Sequence, residues 1–290
     1  MREREKSIMK NELYVESNEA CSENIRMITK EIELIREVII VQQSQMTNMQ
    51  SVLEKKIEIL IKEIREVRRI SQESEWGIVF NNTIMGSEWF CNQALSLGRM
   101  AIGYPCAYAL YNILNEYKPK KIIELGLGQS TKMIMQYTSA HKNTEHTVIE
   151  NDQDWIEFFR KCNDIPNGTN IIQCDVASTE YEQFENVRQY VGFSKLIQNK
   201  KFDFIFIDGP KGYDMKDYSR VDILDLLPEC LEKSFIILFD DCNRSGEMNS
   251  FLRIQEVLRQ NAIEYEIGLY CGKVHTRIIC SKDLAFLCSL

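Results

Sequence analysis

The sequence predicts an α/β domain whose doubly wound, mostly parallel sheet ends in a β-hairpin, preceded by a long N-terminal coiled-coil helix. Three observations point there. Between Ser22 and Ser71 the chain has no Gly or Pro, and its apolar residues recur every seven positions. From Pro105 onward, short apolar runs alternate with helical stretches, the rhythm of strand–helix–strand units. One of those runs, Ile122 to Leu125, breaks into a Gly-bearing turn followed by a helix start. The resulting divisions are a charged segment over 1–21, a coiled coil over 22–71, a connector over 72–104 and a folded domain over 105–290.

In the coiled-coil zone, Ile25, Ile32, Ile39, Met46, Leu53, Leu60 and Val67 hold one heptad position. Ile28, Ile35 and Met49 hold the complementary one, with Gln42 as a polar interruption that would help to fix register. Beyond Leu53 the complementary position moves to Ile57 and Ile64, so consecutive steps of four mark a stutter. A lone helix of this length leaves its stripe uncovered, which predicts a homo-oligomer; an antiparallel hairpin or a helix lying on its own domain is the competing reading.

The connector carries aromatic and Gly punctuation from Trp76 to Tyr104, and Pro105 suits the first turn of a helix over Ala107–Tyr117. Buried strands are expected at Lys121–Leu125, Thr147–Glu150, Asn170–Gln173, Phe202–Ile207 and Phe235–Phe239. Helices fit between and after them at Ser130–Ser139, Asp154–Lys161, Glu180–Gly192, Ser219–Leu231 and Phe251–Gln260, with a closing hairpin at Tyr265–Tyr270 and Thr276–Cys280.

Composition narrows the function classes. A net charge of -8 is a poor basis for binding that depends on neutralising phosphates, so no nucleic-acid partner is expected. The ten cysteines are scattered with no CxxC pair, which reads as reduced thiols in a cytoplasmic protein rather than zinc ligands. The charged start lacks a secretory signal, and no run reaches the ~18 apolar residues of a membrane helix.

Chemistry concentrates at strand ends. In Glu124-Leu125-Gly126-Leu127-Gly128-Gln129-Ser130-Thr131, Gly126 and Gly128 let a ligand approach the backbone, and the helix beginning near Ser130 offers free N–H groups. The third Gly of a dinucleotide fingerprint is replaced by Thr131, which disfavours NAD. Glu150 closes the next strand, at about the distance where such folds hold a ribose hydroxyl, and Asp175 follows the third.

Glu124-Leu125-Gly126-Leu127-Gly128, Glu150 and Asp175 together resemble the first three motifs of class I S-adenosylmethionine-dependent methyltransferases. The resemblance runs from about Pro105 to the C-terminus, terminal hairpin included, and leaves out the coiled coil. It implies a Rossmann-like fold with S-adenosylmethionine as cofactor. The turn of Gly126 and Gly128 would pass under the methionine part, Glu150 would bind the ribose and Asp175 would lie beside the adenine, with Glu124 and Ser130 also cofactor-binding. It also implies a lid before the first helix, for which Trp89, Arg99 and Tyr104 are candidates.

Asp208 ends one apolar strand, and Asp240 and Asp241 end the next. Strand ends converge on the ligand crevice of such a sheet, and three gathered carboxylates repel unless a cation or protons intervene. Hard oxygen ligands of this kind suit Mg²⁺. The arrangement is similar to the metal-dependent O-methyltransferases of the catechol and the macrolide or aminocoumarin sugar types. That similarity implies metal ligands at Asp208, Asp240 and Asp241 and a base at Lys211. Gly209-Pro210 and the second acid, Asp241, depart from the catechol pattern. Tyr213, Asp214, Tyr218 and Arg220 could line an acceptor pocket. The sequence therefore leads us to expect methyl transfer to a hydroxyl of a sugar or related small molecule, with Asp208 and Lys211 catalytic. The competing reading is a non-catalytic coiled-coil scaffold carrying a cofactor-binding domain.

Overall fold

The computed structural model describes residues 2–98 and 100–289, with side chains from Ser22 onward. The side chains of the charged segment 1–21, and Arg99 among the lid candidates, lie outside the described residues. The chain divides into two compact units, 1–65 and 66–290.

The first unit is helix alone. Helix α1 spans Arg2–Ile84, and within this unit the heptad residues are uncovered, with Ile25 at 59%, Ile39 at 46% and Leu53 at 50% exposure. The helix does not stop at Ser71 as the sequence suggested. Trp76, Phe80 and Ile84 stand four apart, one above another on a helix, and Phe80 and Ile84 are buried in the second unit's core. Of the residues read as connector punctuation, Trp76, Gly77 and Phe80 thus lie in the last helical turns. Gly77 is carried in the helix interior, against the Tyr104 ring.

The second unit is a Rossmann-like fold, a seven-stranded sheet with helices on both faces. Its strands are β1 (Lys121–Leu125), β2 (Glu145–Glu150), β3 (Thr169–Gln173), β6 (Phe202–Ile207), β7 (Leu231–Phe239), β8 (Tyr265–Cys271) and β9 (His275–Ser281). They lie in the order β3-β2-β1-β6-β7-β9-β8, parallel except where β9 pairs antiparallel with both β7 and β8. The order reverses between β1 and β6, so the ligand crevice of such a sheet opens there. Runs such as Phe204-Ile205-Phe206-Ile207 are buried on both sides, as parallel strands require. One core lies on the face that carries α2 (Tyr104–Asn112) and α3 (Gln129–Ala140). The other lies beneath α6 (Ser245–Gln260). The short helix α4 (Gln153–Cys162) covers a third, smaller cluster with Ile156 and Phe159.

Two expected helices are absent. Residues 180–192 contribute instead to a hairpin of β4 (Val176–Tyr181) and β5 (Phe184–Tyr190), followed by the four-residue α5 (Phe193–Leu196). Positive φ at Glu182 and Asn186, 54° and 63°, turns the chain where a helix would have continued. Residues 219–231 form turns around a single 3₁₀ turn, Leu224–Leu226, because Arg220 has a φ of 60° and Pro228 ends any helix. The helix predicted over 107–117 closes with a π turn, Ile113–Tyr117, and left-handed Lys118.

Candidate active site

The register aligns the C-terminal ends of four adjacent strands. Leu125 pairs with Ile149 and Ile207, and Ile207 pairs with Phe239. The residues one step beyond, Gly126, Glu150, Asp208 and Asp240, therefore form one row across β1, β2, β6 and β7. Backbone bonds extend the ladder into this row: Gly126 N–H donates to Ile149 O, Asp208 N–H to Leu125 O and Asp240 N–H to Ile207 O.

Gly126 is required by its neighbour across the switch point. Its φ is 104°, and a Cβ there would come within 3.2 Å of the Asp208 carbonyl carbon. Gly128 differs, since a Cβ would meet nothing nearer than Ser130 Oγ at 4.0 Å, so the space above the start of α3 is open. Thr131 Oγ1 accepts the Gly128 N–H at 2.9 Å, and Ser130 is buried in the same first turn.

Glu150 fastens the loop. One of its oxygens accepts the Leu127 N–H at 3.0 Å, and the other accepts the N–H groups of Asn151 and Asp152 at 2.8 and 2.9 Å. The Trp155 indole N–H donates to the Leu127 carbonyl at 2.8 Å, while its backbone N–H donates to the Asp152 carboxylate that caps α4. Leu127 is held by side chains at both its N–H and its C=O.

Glu124 lies below the row and is fully buried. Oε2 is 3.0 Å from His146 Nε2, and Oε1 has no partner among the described residues. His146 also meets Thr169 Oγ1 at 3.3 Å. Asp175 is exposed, takes a hydrogen bond from the Gln173 amide at 2.6 Å, and edges a cleft of about 460 Å³ with Val191, Gly192 and Lys195.

Asp208, Asp240 and Asp241 do converge, and a residue given only a peripheral place by the sequence stands among them. Arg220, 3% exposed, directs Nη2 to Asp241 Oδ2 at 2.8 Å and to Asp208 Oδ1 at 3.3 Å. Its Nη1 donates to the Asp240 carbonyl and its Nε to the Pro210 carbonyl. Arg244 adds a second guanidinium to Asp241 at 2.9 Å, and Thr276 donates its hydroxyl to Asp240 at 2.6 Å. Burial raises the Asp208 carboxyl well above the usual aspartate range; Arg220 opposes this, and Asp240 and Asp241 add to it. Burial and Asp241 push the Asp240 carboxyl up to about 6.

Lys211 is exposed, and its backbone carbonyl accepts a guanidinium N–H of Arg188. Arg188 also pairs with Asp214, tying the β4–β5 hairpin to this loop. Tyr213 is exposed, and Tyr218 packs edge-on against Tyr181 and Phe184. Asp222, behind the crevice, accepts the Tyr190 N–H at 2.6 Å, and its second oxygen has no partner among the described residues. On the helix face, Asn92 and Ser96 of the connector are bound to the side chains of Gln136 and Gln129 of α3.

The residues fit an adenosyl cofactor. Gly128 leaves open space, Glu150 has used three of roughly four acceptor positions, and Glu124 keeps a buried oxygen unused. They do not fit a divalent metal, because a guanidinium already lies between Asp208 and Asp241 and a hydroxyl already occupies Asp240 Oδ1. No group of three or more His, Cys, Asp or Glu among the described residues is arranged to hold a metal ion. No helix among them is long and apolar enough to cross a membrane.

No protein-family model and no curated protein matches the chain. Solved structures do. The chain is similar to the O-methyltransferase TomG of Streptomyces achromogenes in complex with SAM at 12% identity, covering 72% of this chain and 98% of that one, with a TM-score of 0.47. It is similar to an O-methyltransferase of Bacillus cereus in complex with SAH at 14%, covering 73% and 91%, TM-score 0.42. The SAH-bound methyltransferase PaMTH1 of Podospora anserina is 18% identical over 63% of this chain and 80% of its own, TM-score 0.39. The fold assignment rests on the strand order and register, not on these likenesses.

Proposed function

We propose that the chain is a cytoplasmic S-adenosylmethionine-dependent methyltransferase acting on a hydroxyl of a sugar or related small molecule, and that α1 joins copies of it into an oligomer. One observation carries the reading: the glycine loop, the Glu150 acid and Asp208 stand in a single row at the point where the strand order reverses.

S-adenosylmethionine supplies a methyl group on a positively charged sulfur. The chain's part is to bind, orient and manage one proton. Glu150 has an acceptor position left for a ribose hydroxyl, Asp175 stands at the adenine end, and the open Gly128 turn with Ser130 and the unused Glu124 oxygen meets the methionine end. Asp208 accepts the proton of the acceptor hydroxyl; a carboxyl raised by burial is a better base than an ordinary aspartate. Lys211, three residues along the same loop, meets the acceptor. The connector bound over α3 limits water at the helix start. Fixed geometry supplies much of the rate gain.

Calorimetry with S-adenosylhomocysteine tests the cofactor, and no binding at high micromolar concentration removes it. A mass-spectrometric screen of sugar and polyphenol acceptors tests the reaction. Asp208→Asn should then lower kcat about 100-fold, and Lys211→Ala should raise KM with kcat largely kept. The uncovered stripe of α1 favours a second reading, a scaffold that binds cofactor without turnover, which predicts no methylated product from any acceptor and assembly intact in both variants.

A further inference from the structure

We infer that Arg220 is the built-in cation of the aspartate cluster, standing where three converging carboxylates would otherwise gather a divalent metal, so that this crevice works without one. Asp208, Asp240 and Asp241 come from the ends of two adjacent strands, and such a group needs compensating charge. Two features show how thoroughly the chain has committed Arg220 to that task. The first is saturation. Three hydrogen bonds, to Asp241 Oδ2, Asp240 O and Pro210 O, and the 3.3 Å ion pair with Asp208 Oδ1 engage all three nitrogens of a guanidinium that is only 3% exposed. Little is left for a substrate, so the partner of this arginine is the cluster itself.

The second feature is backbone conformation. Arg220 and Asp241, joined at 2.8 Å, both sit in the left-handed region, at φ of 60° and 62°. Two non-glycine residues in that region cost free energy that the surroundings must offset, and here the offset is the ion pair they make together. A planar, permanently charged fork suits the role better than an ammonium, because it reaches both acids and two carbonyls at once. Mg²⁺ asks for near-octahedral oxygen at about 2.0–2.1 Å, and it cannot share the Asp208–Asp241 gap with this guanidinium.

The inference concerns metal binding alone and stands whichever reaction the crevice supports. Its test is an electron paramagnetic resonance titration of the full chain with Mn²⁺. Wild type should show no stoichiometric site at millimolar Mn²⁺, and calorimetric S-adenosylhomocysteine binding, if present, should be unchanged by EDTA. Arg220→Ala should gain one Mn²⁺ site, lost again when Asp208→Asn is added. Arg220→Lys, which keeps a charge, should fold where the alanine variant does not and should remain without a site. A single tight Mn²⁺ site in wild type that Asp208→Asn abolishes would overturn the inference. So would a folded Arg220→Ala chain that gains none.

Discussion

Replacing Asp222 by Asn should make the protein more stable at alkaline pH, although it alters a buried, hydrogen-bonded residue. Asp222 is 5% exposed and its carboxyl is pushed from the ordinary 3.8 up to about 7, chiefly by burial. The Tyr190 N–H on one oxygen only partly opposes this, and the other oxygen has no partner among the described residues. At about 1.4 kcal/mol per pH unit, keeping this carboxylate charged in the fold costs roughly 4 kcal/mol once pH exceeds the folded value. Because the folded pKa is the higher one, the unfolded chain gives up its proton first. The contribution of Asp222 to stability is therefore whole below about pH 4, declines between about 4 and 7, and is flat above. Asn keeps an oxygen for Tyr190 and never ionises. The stability difference between variant and wild type should rise by roughly 3 kcal/mol from about pH 4.5 to about pH 8. Urea unfolding followed by tryptophan fluorescence at the two pH values measures it. A difference that does not change with pH, or that favours wild type more at pH 8, refutes the reasoning.

Three further outcomes are expected. Glu150→Ala removes the acceptor of three backbone N–H groups and should weaken S-adenosylhomocysteine binding by about 10- to 100-fold in calorimetry; equal affinity would detach Glu150 from the cofactor. Gly126→Ala forces a side chain into a φ of 104° against the Asp208 backbone and should cost about 1–3 kcal/mol in denaturant unfolding, whereas Gly128→Ala should leave stability nearly unchanged and act on ligand binding. Leu53→Glu combined with Ile32→Glu places charge on the uncovered stripe of α1 and should convert an oligomer into a monomer of 34.0 kDa by light scattering.

Much of this fold could be read from the sequence because its parallel strands are buried on both faces and so appear as unbroken apolar runs. The row of Gly126, Glu150, Asp208 and Asp240 was accessible for the same reason, since each residue directly follows such a run. The hairpin at 176–190 was misread because Tyr181, Phe184 and Val187 fall three apart among glutamates and glutamines, which imitates one face of a helix. Val221, Leu224 and Leu227 imitate a helix in the same way, and that misreading hid the place of Arg220 among the aspartates. A left-handed arginine leaves no mark in sequence, and only the fold carries it back to acids that lie up to about twenty residues away. The Glu124–His146 contact escaped notice because a strand pairing, not a motif, brings it about.

The bonds around the glycine loop close on themselves. Glu150 holds Leu127, Leu127 receives Trp155, Trp155 turns back to Asp152, and Asp152 returns to Glu150. A circuit of this kind has no outer member. Asp152 looks like an ordinary surface helix cap, yet its carboxylate holds Trp155 and its N–H binds Glu150, the acid proposed for the ribose. Under the proposed function, affinity for a nucleoside is therefore partly a property of where α4 begins.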